Sequence, residues 1–325
     1  MSGAQWARPL GLLLGYGVDR LLGDPRRYHP VAGLGRLSRA IEDRSYRDRR
    51  AAGVAHTIAL VGGAAVAGGA LDRVTRERPY VRTMLTAVAT WTVLGGRTLE
   101  REAMQVSDLL RGEDLPAARR QVSRLVGRDP SGLDADEIAR ATIESVAENS
   151  SDAVVAPLCA GAVGGIGGLL GYRVVNTLDA MIGHRNARYR NYGWAAARLD
   201  DAANLVPARL TAALTILLAS TESGAPADAW RSWRLDARQH PSPNAGPVEA
   251  AFAGALGVRL GGRNTYGDVV EERGVLGDGR LPRPDDIARA TRLARRVSAA
   301  TLGVAVLTSR FGSVGAMRRT GRDPS

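Results

Sequence analysis

AVVAPLCAGAVGGIGGLLGY, residues 153–172, contains no Arg, Asp or Glu, and the rest of the chain is read from it. At 1.5 Å of rise per residue, about 20 apolar residues cross the hydrocarbon core of a bilayer. Residues 51–71, AAGVAHTIALVGGAAVAGGAL, form a second run of that length and are equally free of those charges. Shorter apolar runs at 9–18, 83–96, 210–221 and 298–309 reach it only if flanking Arg side chains snorkel. Any one short run reads equally as a buried helix of a soluble core. Beside two full-length runs they point to an all-α, polytopic membrane protein with several transmembrane helices and polar helical or loop connectors. Within 153–172, Gly161, Gly164, Gly165, Gly167, Gly168 and Gly171 make a weak helix former, at about 1 kcal/mol per Gly relative to Ala. The expectation is therefore a segment that is interrupted or dips back rather than a straight rod.

The average composition of the 325 residues, 45% hydrophobic and 24% charged, hides this segregation. The net charge of +11 invites a nucleic-acid partner, but the Arg residues are scattered along polar segments without a motif or interleaved aromatics, so no nucleic acid is expected. Residues 24–50 carry Arg26, Arg27, Arg36, Arg39, Arg44, Arg47, Arg49 and Arg50, which suits a cytoplasmic loop on an anionic leaflet. The chain has no Lys, which excludes a Walker-A lysine and a Schiff-base lysine. Cys159 is the only cysteine and sits in an apolar run, so it reads as packing; a disulfide framework and a CxxC metal site are excluded. The first residues lack a basic n-region and an A-x-A cleavage site and read as a retained first segment. Residues 1–325 read as a single integral membrane domain, with 97–152 and 221–297 as polar extra-membrane regions and 316–325 as a disordered tail. Asp134, with Glu137 three residues on, caps a helix from about 135 to 149, and 285–310 reads as one amphipathic helix. No strand alternation is evident.

Four polar clusters abut the apolar runs. Asp19, Asp24-Pro25 and His29-Pro30 place two carboxylates and an imidazole at a helix exit, suited to a hard cation or an amine, or simply to a capped turn. Glu144, Glu148 and Asp152 recur every four residues, so three carboxylates share one helical face, and no Arg at 141–151 relieves their repulsion. A magnesium ion held by oxygen ligands is one compensation, a solvated acidic face the other. In the third cluster Asn176, Asp179 and Gly183 share a face that Asn186 extends, and Asp200, Asp201 and Asn204 follow. Arg185, Arg188 and Arg190 offer guanidinium forks for phosphate, while Tyr189, Tyr192 and Trp194 suit an interfacial belt or substrate stacking. In the fourth, His240-Pro-Ser242-Pro-Asn244 is stiffened by two prolines, with Glu249 and Gly261-Gly-Arg-Asn264 beyond. No G-x-S-x-G elbow supports a Ser–His nucleophile, and no strand or ribose-binding acid turns the glycine runs into a Rossmann fingerprint.

These clusters resemble those of the adenosylcobinamide-phosphate synthase family, the CbiB/CobD cobalamin biosynthesis proteins. The matching stretches are DRLLGDP…HP…G at 19–35, SRLVGRD at 123–129, ESVAEN at 144–149 and NTLDAM at 176–181. They continue with RNARY at 185–189, GWAAARLDDAAN at 193–204 and HPSPNAG at 240–246, so that the resemblance covers about 10–270. Ala153, Ala180, His184, Ala187 and Pro247-Val248 depart from the pattern, which puts substrate contacts at 187 and 247–248 in doubt. The resemblance implies a polytopic helical fold in the cell membrane. It also implies ligase-type condensation of adenosylcobyric acid with aminopropanol phosphate, or a related amino alcohol, to form an amide, with ATP as cosubstrate and Mg2+.

Expected partners are the corrinoid, the amino-alcohol phosphate, the lipid bilayer and other corrinoid-pathway membrane enzymes. For that chemistry Glu144, Glu148 and Asp152, with Asp200 or Asp201, are expected to position magnesium, and Asp179, Asp200, Asp201 and His240 are the catalytic candidates. Asp19, Asp24, His29, Asn149, Asn176, Arg185, Asn186, Arg188, Tyr189, Asn204, Arg209, Ser242 and Asn244 are the substrate-binding candidates. Two rival readings are a membrane transporter, which calls for inverted repeats that the chain does not show, and a non-catalytic membrane scaffold for corrinoid enzymes.

Overall fold

Apolar runs and polar connectors alike fold as helix, which makes up 80% of the chain. The computed structural model describes residues 5–24, 30–127, 129–184, 186–266 and 269–319. In chain order the first helices are α1 (Ala7–Leu22), α2 (Pro30–Ser45), α3 (Arg50–Val74), α4 (Pro79–Val93), α5 (Gly96–Arg111), α6 (Leu115–Val122) and α7 (Ala135–Ser150). A π-helical turn, Ser151–Val155, leads into α8 (Ala156–Ile182), α9 (Tyr189–Tyr192), α10 (Trp194–Leu218), α11 (Pro226–Asp236) and α12 (Ala245–Leu256). The antiparallel strands β1 (Leu260–Tyr266) and β2 (Val269–Leu276) precede α13 (Pro284–Arg319). Among the described residues three helical stretches are long and apolar enough to cross a membrane: Arg50–Val74, Ala135–Ile182 and Trp194–Glu222.

The chain, read above as one domain, divides into two compact units, 1–95 with 156–203 and 301–325, and 96–155 with 204–300. The polar regions 97–152 and 221–297 fall together in the second unit.

In the first unit the run at 153–172 is broken, as its glycines led one to expect. Gly165 stands at φ 59°, ψ −142° inside α8, outside any helical conformation. A Cβ on Gly168 would lie 2.1 Å from the Ala160 carbonyl oxygen, and one on Gly161 would lie 2.8 Å from Leu169 Cδ2. Residues eight apart in a straight helix are separated by about 12 Å along its axis. The two halves, 156–164 and 166–182, therefore fold back on each other as a helical hairpin. Broken backbone exposes orphan carbonyls on one half and orphan N–H groups on the other. Arg8 Nη1 donates to the carbonyls of Ala162 and Val163, both at 3.2 Å, and Asp72 Oδ2 accepts from Ile166 N–H at 2.9 Å. A cation thus meets the negative end of the first half-helix and a carboxylate the positive end of the second. Arg82 Nε, 2.9 Å from Asp72 Oδ1, holds that carboxylate in place. Leu60, Val174, Leu178, Ile182, Tyr192 and Ala196 form the core beneath.

In the second unit α12 is buried along its whole length. The capping box at the start of α7 is present: Asp134 Oδ1 accepts from Glu137 N–H at 2.8 Å and Glu137 Oε2 from Asp134 N–H at 3.0 Å. The absence of strands expected from the sequence is corrected by β1–β2, whose register shifts at Gly261/Gly262. Glu144 Oε1 accepts from Gly261 N–H at 2.8 Å, and Arg140 donates to the Gly261 carbonyl, so side chains of α7 pin β1 where its ladder is irregular. At the foot of α13, Arg280 Nη1 lies 2.7 Å and Arg289 Nη1 2.8 Å from the buried Asp286 carboxylate. Burial pushes that carboxyl up, but bonds from Arg280, the Arg283 N–H and Arg289 outweigh it and hold Asp286 below the usual carboxylate range. Buried Glu222 accepts from Arg292 at 2.8 Å and from Arg296. The Arg-rich 24–50 stretch, expected as a loop, contains helix α2, and the helix expected at 285–310 runs on to Arg319. Of the expected tail, 316–319 belongs to α13 and 320–325 lies outside the described residues.

Candidate functional site

Each unit carries its own set of the polar residues singled out from the sequence. In the first, α1 ends at Gly23, whose carbonyl accepts from Trp91 Nε1 at 2.9 Å, and this fixes the turn that presents Asp24. Asp19 is fully buried on α1, and Asp24 lies near enough to Arg173 of α8 for their charges to interact. Asp201 and His184 likewise each lie within the field of Asp179, which brings together the end of α8 and the first half of α10. A side chain at Gly183 would strike Asp179 Oδ1 at 2.0 Å, so the glycine leaves room for the carboxylate. Asp201 also sits 3.8 Å from Arg198 Nη1, and Asn176 and Asp200 are half-buried.

Three expected ligand-binding residues have structural partners in this unit. Asn186 Oδ1 caps the Tyr189 N–H at 2.9 Å. Glu42, which the sequence reading did not single out, is buried at 3% exposure. Its Oε1 accepts from Arg188 Nη2 at 2.8 Å, Arg188 Nε at 3.2 Å and the Tyr189 hydroxyl at 3.1 Å. The hydrogen bond to Glu42 foremost, and then that to Tyr189, raise Arg188 above its ordinary value. The Arg188 guanidinium also stacks 4.3 Å from the Tyr46 ring centroid, while the Tyr46 hydroxyl donates to the Arg188 carbonyl at 2.8 Å. Arg188 is thereby committed to tying α2 to the segment before α9. His29 and Arg185 lie outside the described residues.

In the second unit the set gathers around the buried α12. Arg209 Nη1 of α10 donates to Asn244 Oδ1 at 2.9 Å, and Asn204, one turn earlier, is 1% exposed. Ser242 Oγ accepts from the N–H groups of Asn244 (3.3 Å) and Ala245 (3.1 Å), and so caps α12. The Ser242 N–H donates to His240 Nδ1 at 3.0 Å. A backbone N–H can only donate, so neutral His240 carries its proton on Nε2, and that nitrogen stands 3.7 Å from Glu249 Oε1 in a pair 3% and 1% exposed. Glu249 was visible in the sequence beside the fourth cluster, but only the fold shows it turned toward His240. Glu42 left no signal, because a lone acid in an Arg-rich stretch looks like an ordinary surface charge.

The expected magnesium ligands fit that ion only in part. Glu144 is 6% exposed and one of its oxygens serves Gly261 N–H, Glu148 is exposed, and Asp152 is half-buried in the π-helical turn. Among the described residues no three His, Cys, Asp or Glu side chains are placed to cage a metal. Magnesium in phosphoryl-transfer sites commonly needs only one or two carboxylates, substrate phosphates and water supplying the rest. Asn149, beside them, donates to the Ser145 carbonyl at 2.9 Å and hydroxyl at 3.1 Å.

Residues 12–294 match the family model described as CobD/Cbib protein. Among curated proteins, the chain is 50% identical over 309 residues to "Cobalamin biosynthesis protein CobD" of Mycobacterium tuberculosis, covering 94% of this chain and 98% of that one. It is 44% identical over 297 residues to the protein of the same name from Chromobacterium violaceum, covering 89% and 91%. The Geobacter metallireducens protein of that name is 44% identical over 266 residues, covering 80% and 84%. No solved structure matches the chain.

Proposed function

Since the chain belongs to the CobD/CbiB protein family of cobalamin biosynthesis, we propose that it is a multi-pass cell-membrane ligase that forms the amide of adenosylcobinamide phosphate. Adenosylcobyric acid supplies the carboxylate, and aminopropanol phosphate, or a close amino-alcohol relative, supplies the amine. A carboxylate is a poor electrophile, and an amine is inert while protonated. Phosphoryl transfer from ATP makes the carboxylate oxygen a leaving group; attack by the neutral amine then gives amide, ADP and phosphate. Magnesium, when bound, neutralises phosphate charge, and Glu148 with Asp152, or Asp200 and Asp201, are the carboxylates suited to hold it.

The observation that carries this reading is the buried polar set of the second unit. Two family stretches, at 193–204 and 240–246, supply Asn204, His240 and Asn244, and Arg209 and Glu249 complete the set. Buried polar side chains are costly, and a rigid convergence of amide, guanidinium, imidazole and carboxylate suits holding a polar substrate. Arg209 presents a guanidinium for phosphate or carboxylate. Asp179, or Glu249 beside the Nε2–H of His240, takes the amine proton. Against a transporter, both ends of the broken helix at Gly165 are already filled by Arg8 and Asp72, whereas a transport site leaves such half-helix ends for its ligand. Against a scaffold, a non-catalytic protein has little use for an imidazole and a carboxylate buried side by side, as His240 and Glu249 are.

The test is purified protein in detergent with adenosylcobyric acid, aminopropanol phosphate, ATP and magnesium, read by mass spectrometry. The expected product is the acid plus the amine less one water, with one ADP and one phosphate released per amide. Failure of the product to form with intact, folded protein overturns the assignment.

A further inference from the structure

We propose that α11 is an amphipathic membrane-surface helix whose exposed face docks on anionic phospholipid headgroups. The candidate span Trp194–Glu222 ends at Glu222, and α11 begins at Pro226. Four residues reach at most about 14 Å, so the first turn of α11 stays close to the level where that span leaves the bilayer. One side of α11 is committed to protein: Ala229 and Ser232 are buried, and a Cβ on Gly254 of α12 would lie 2.5 Å from the Asp228 carbonyl.

The opposite side carries large apolar and cationic groups together. Trp230 is 48% and Leu235 68% exposed, Arg231 and Arg234 are exposed beside them, and Arg238 is exposed in the 3-10 turn that follows α11. The Trp230 and Trp233 rings meet edge to face at 5.5 Å, and the Arg234 guanidinium lies 5.5 Å from the Trp230 ring centroid. Arg231 is partly neutralised by Asp228 at 3.3 Å and Asp278 at 2.8 Å, so Arg234 and Arg238 carry the charge available to a ligand.

Indole and leucine side chains prefer the boundary between headgroups and acyl chains, while guanidinium groups reach phosphate at the same depth. A protein partner would account for the apolar groups. The combination with cations, directly after a span, fits an anionic leaflet better. The inference is independent of the amide chemistry.

The test uses the full-length protein in nanodiscs, with a spin label on Leu235→Cys in a Cys159→Ala background and the same label on Asp108→Cys of α5 for comparison. Collision with oxygen and with a water-soluble nickel chelate measures depth. In discs containing phosphatidylglycerol, the label at 235 is expected to favour oxygen and the label at 108 the chelate. Arg234→Gln with Arg238→Gln should lower the bilayer-associated population about fivefold per arginine in those discs, and much less in phosphatidylcholine alone. Lysine at both positions should restore it, which separates charge from any structural part these side chains play. A label at 235 as water-exposed as that at 108 overturns the proposal, and so does a buried label indifferent to lipid charge and to both arginines.

Discussion

Replacing Gly165 by Ala adds one methyl group at the tip of the α8 hairpin, where the backbone stands at φ 59°, ψ −142°. That conformation is nearly exclusive to glycine, and holding another residue in it costs about 1–3 kcal/mol. The new Cβ would also lie 2.1 Å from Asp72 Oδ2 and 3.0 Å from Arg8 Nη2, so the carboxylate must withdraw from Ile166 N–H. Losing a hydrogen bond to a charged group costs about 1.5–3 kcal/mol more. The two effects sum to about 2.5–6 kcal/mol, a large part of the ~5–15 kcal/mol that stabilises an ordinary domain. At about 2 °C per kcal/mol for a chain of this size, the apparent Tm should fall by roughly 5–12 °C. Gly164→Ala is the control, since a Cβ there meets nothing within 4 Å. Its change should stay within about 1 kcal/mol. The assay is thermal unfolding in one detergent, followed by a fluorogenic thiol reagent on Cys159, the only cysteine. Equal melting of the two variants would refute both the hairpin tip and its capping by Asp72.

Oxidising Gly161→Cys/Leu169→Cys in a Cys159→Ala background should give an intramolecular disulfide, seen by mass. A straight helix holds these positions about 12 Å apart, beyond any disulfide. Glu148→Gln should keep the protein in the membrane and abolish amide formation; normal turnover at ordinary magnesium would remove Glu148 from the metal. Asp286→Asn should cost about 2–3 kcal/mol at neutral pH. Because the folded carboxyl is held below its ordinary value, that stabilisation is complete above the unfolded pKa and fades as pH falls through the folded one, so variant and parent should converge in melting experiments below about pH 4. Glu42→Gln and Arg188→Lys should each destabilise the protein, and the double variant should lose less than the sum; additive losses, or a weakened KM with unchanged stability, would return Arg188 to the substrate.

Much of the fold was legible because two signals are strong in a single sequence. Charge-free runs of spanning length mark the helices around 50–74 and 156–182, and the Asp134/Glu137 pair marks the start of α7 to the residue. The break at Gly165 was legible as a tendency, since six glycines weaken a helix wherever they fall. Which glycine would turn depended on Arg8 and Asp72, which lie 157 and 93 residues away and carry no local signal. The β-hairpin escaped notice because its alternation is interrupted at Gly261/Gly262, where α7 rather than a ladder partner satisfies the backbone. What the sequence did not carry is how the polar residues pair. Arg188 looks like a phosphate ligand until Glu42 is seen against it. Likewise, the His240 ring appears available until the Ser242 N–H occupies Nδ1.

The hairpin also bears on a conflict of charge that the sequence alone leaves open. Eight Arg residues lie in 24–50 and four, Arg73, Arg76, Arg78 and Arg82, in the connector at 72–82, although α3 runs between the two stretches. If α3 crosses, they cannot share a side. Arg82 is spent on Asp72 at the hairpin tip, together with Arg8, so the connector has a structural reason to be basic. The excess in 24–50 then has no such structural use for most of its arginines and is the stretch to which the positive-inside rule applies. Glu42 and Tyr46 bind the segment after α8 there, so residue 182 ends the returning half of the hairpin at the 24–50 end while residue 166 starts it near Asp72. The returning half of the hairpin thus carries Asp179 to the 24–50 end of α3, whereas a straight helix over 153–172 would run on past Asp72 in one direction.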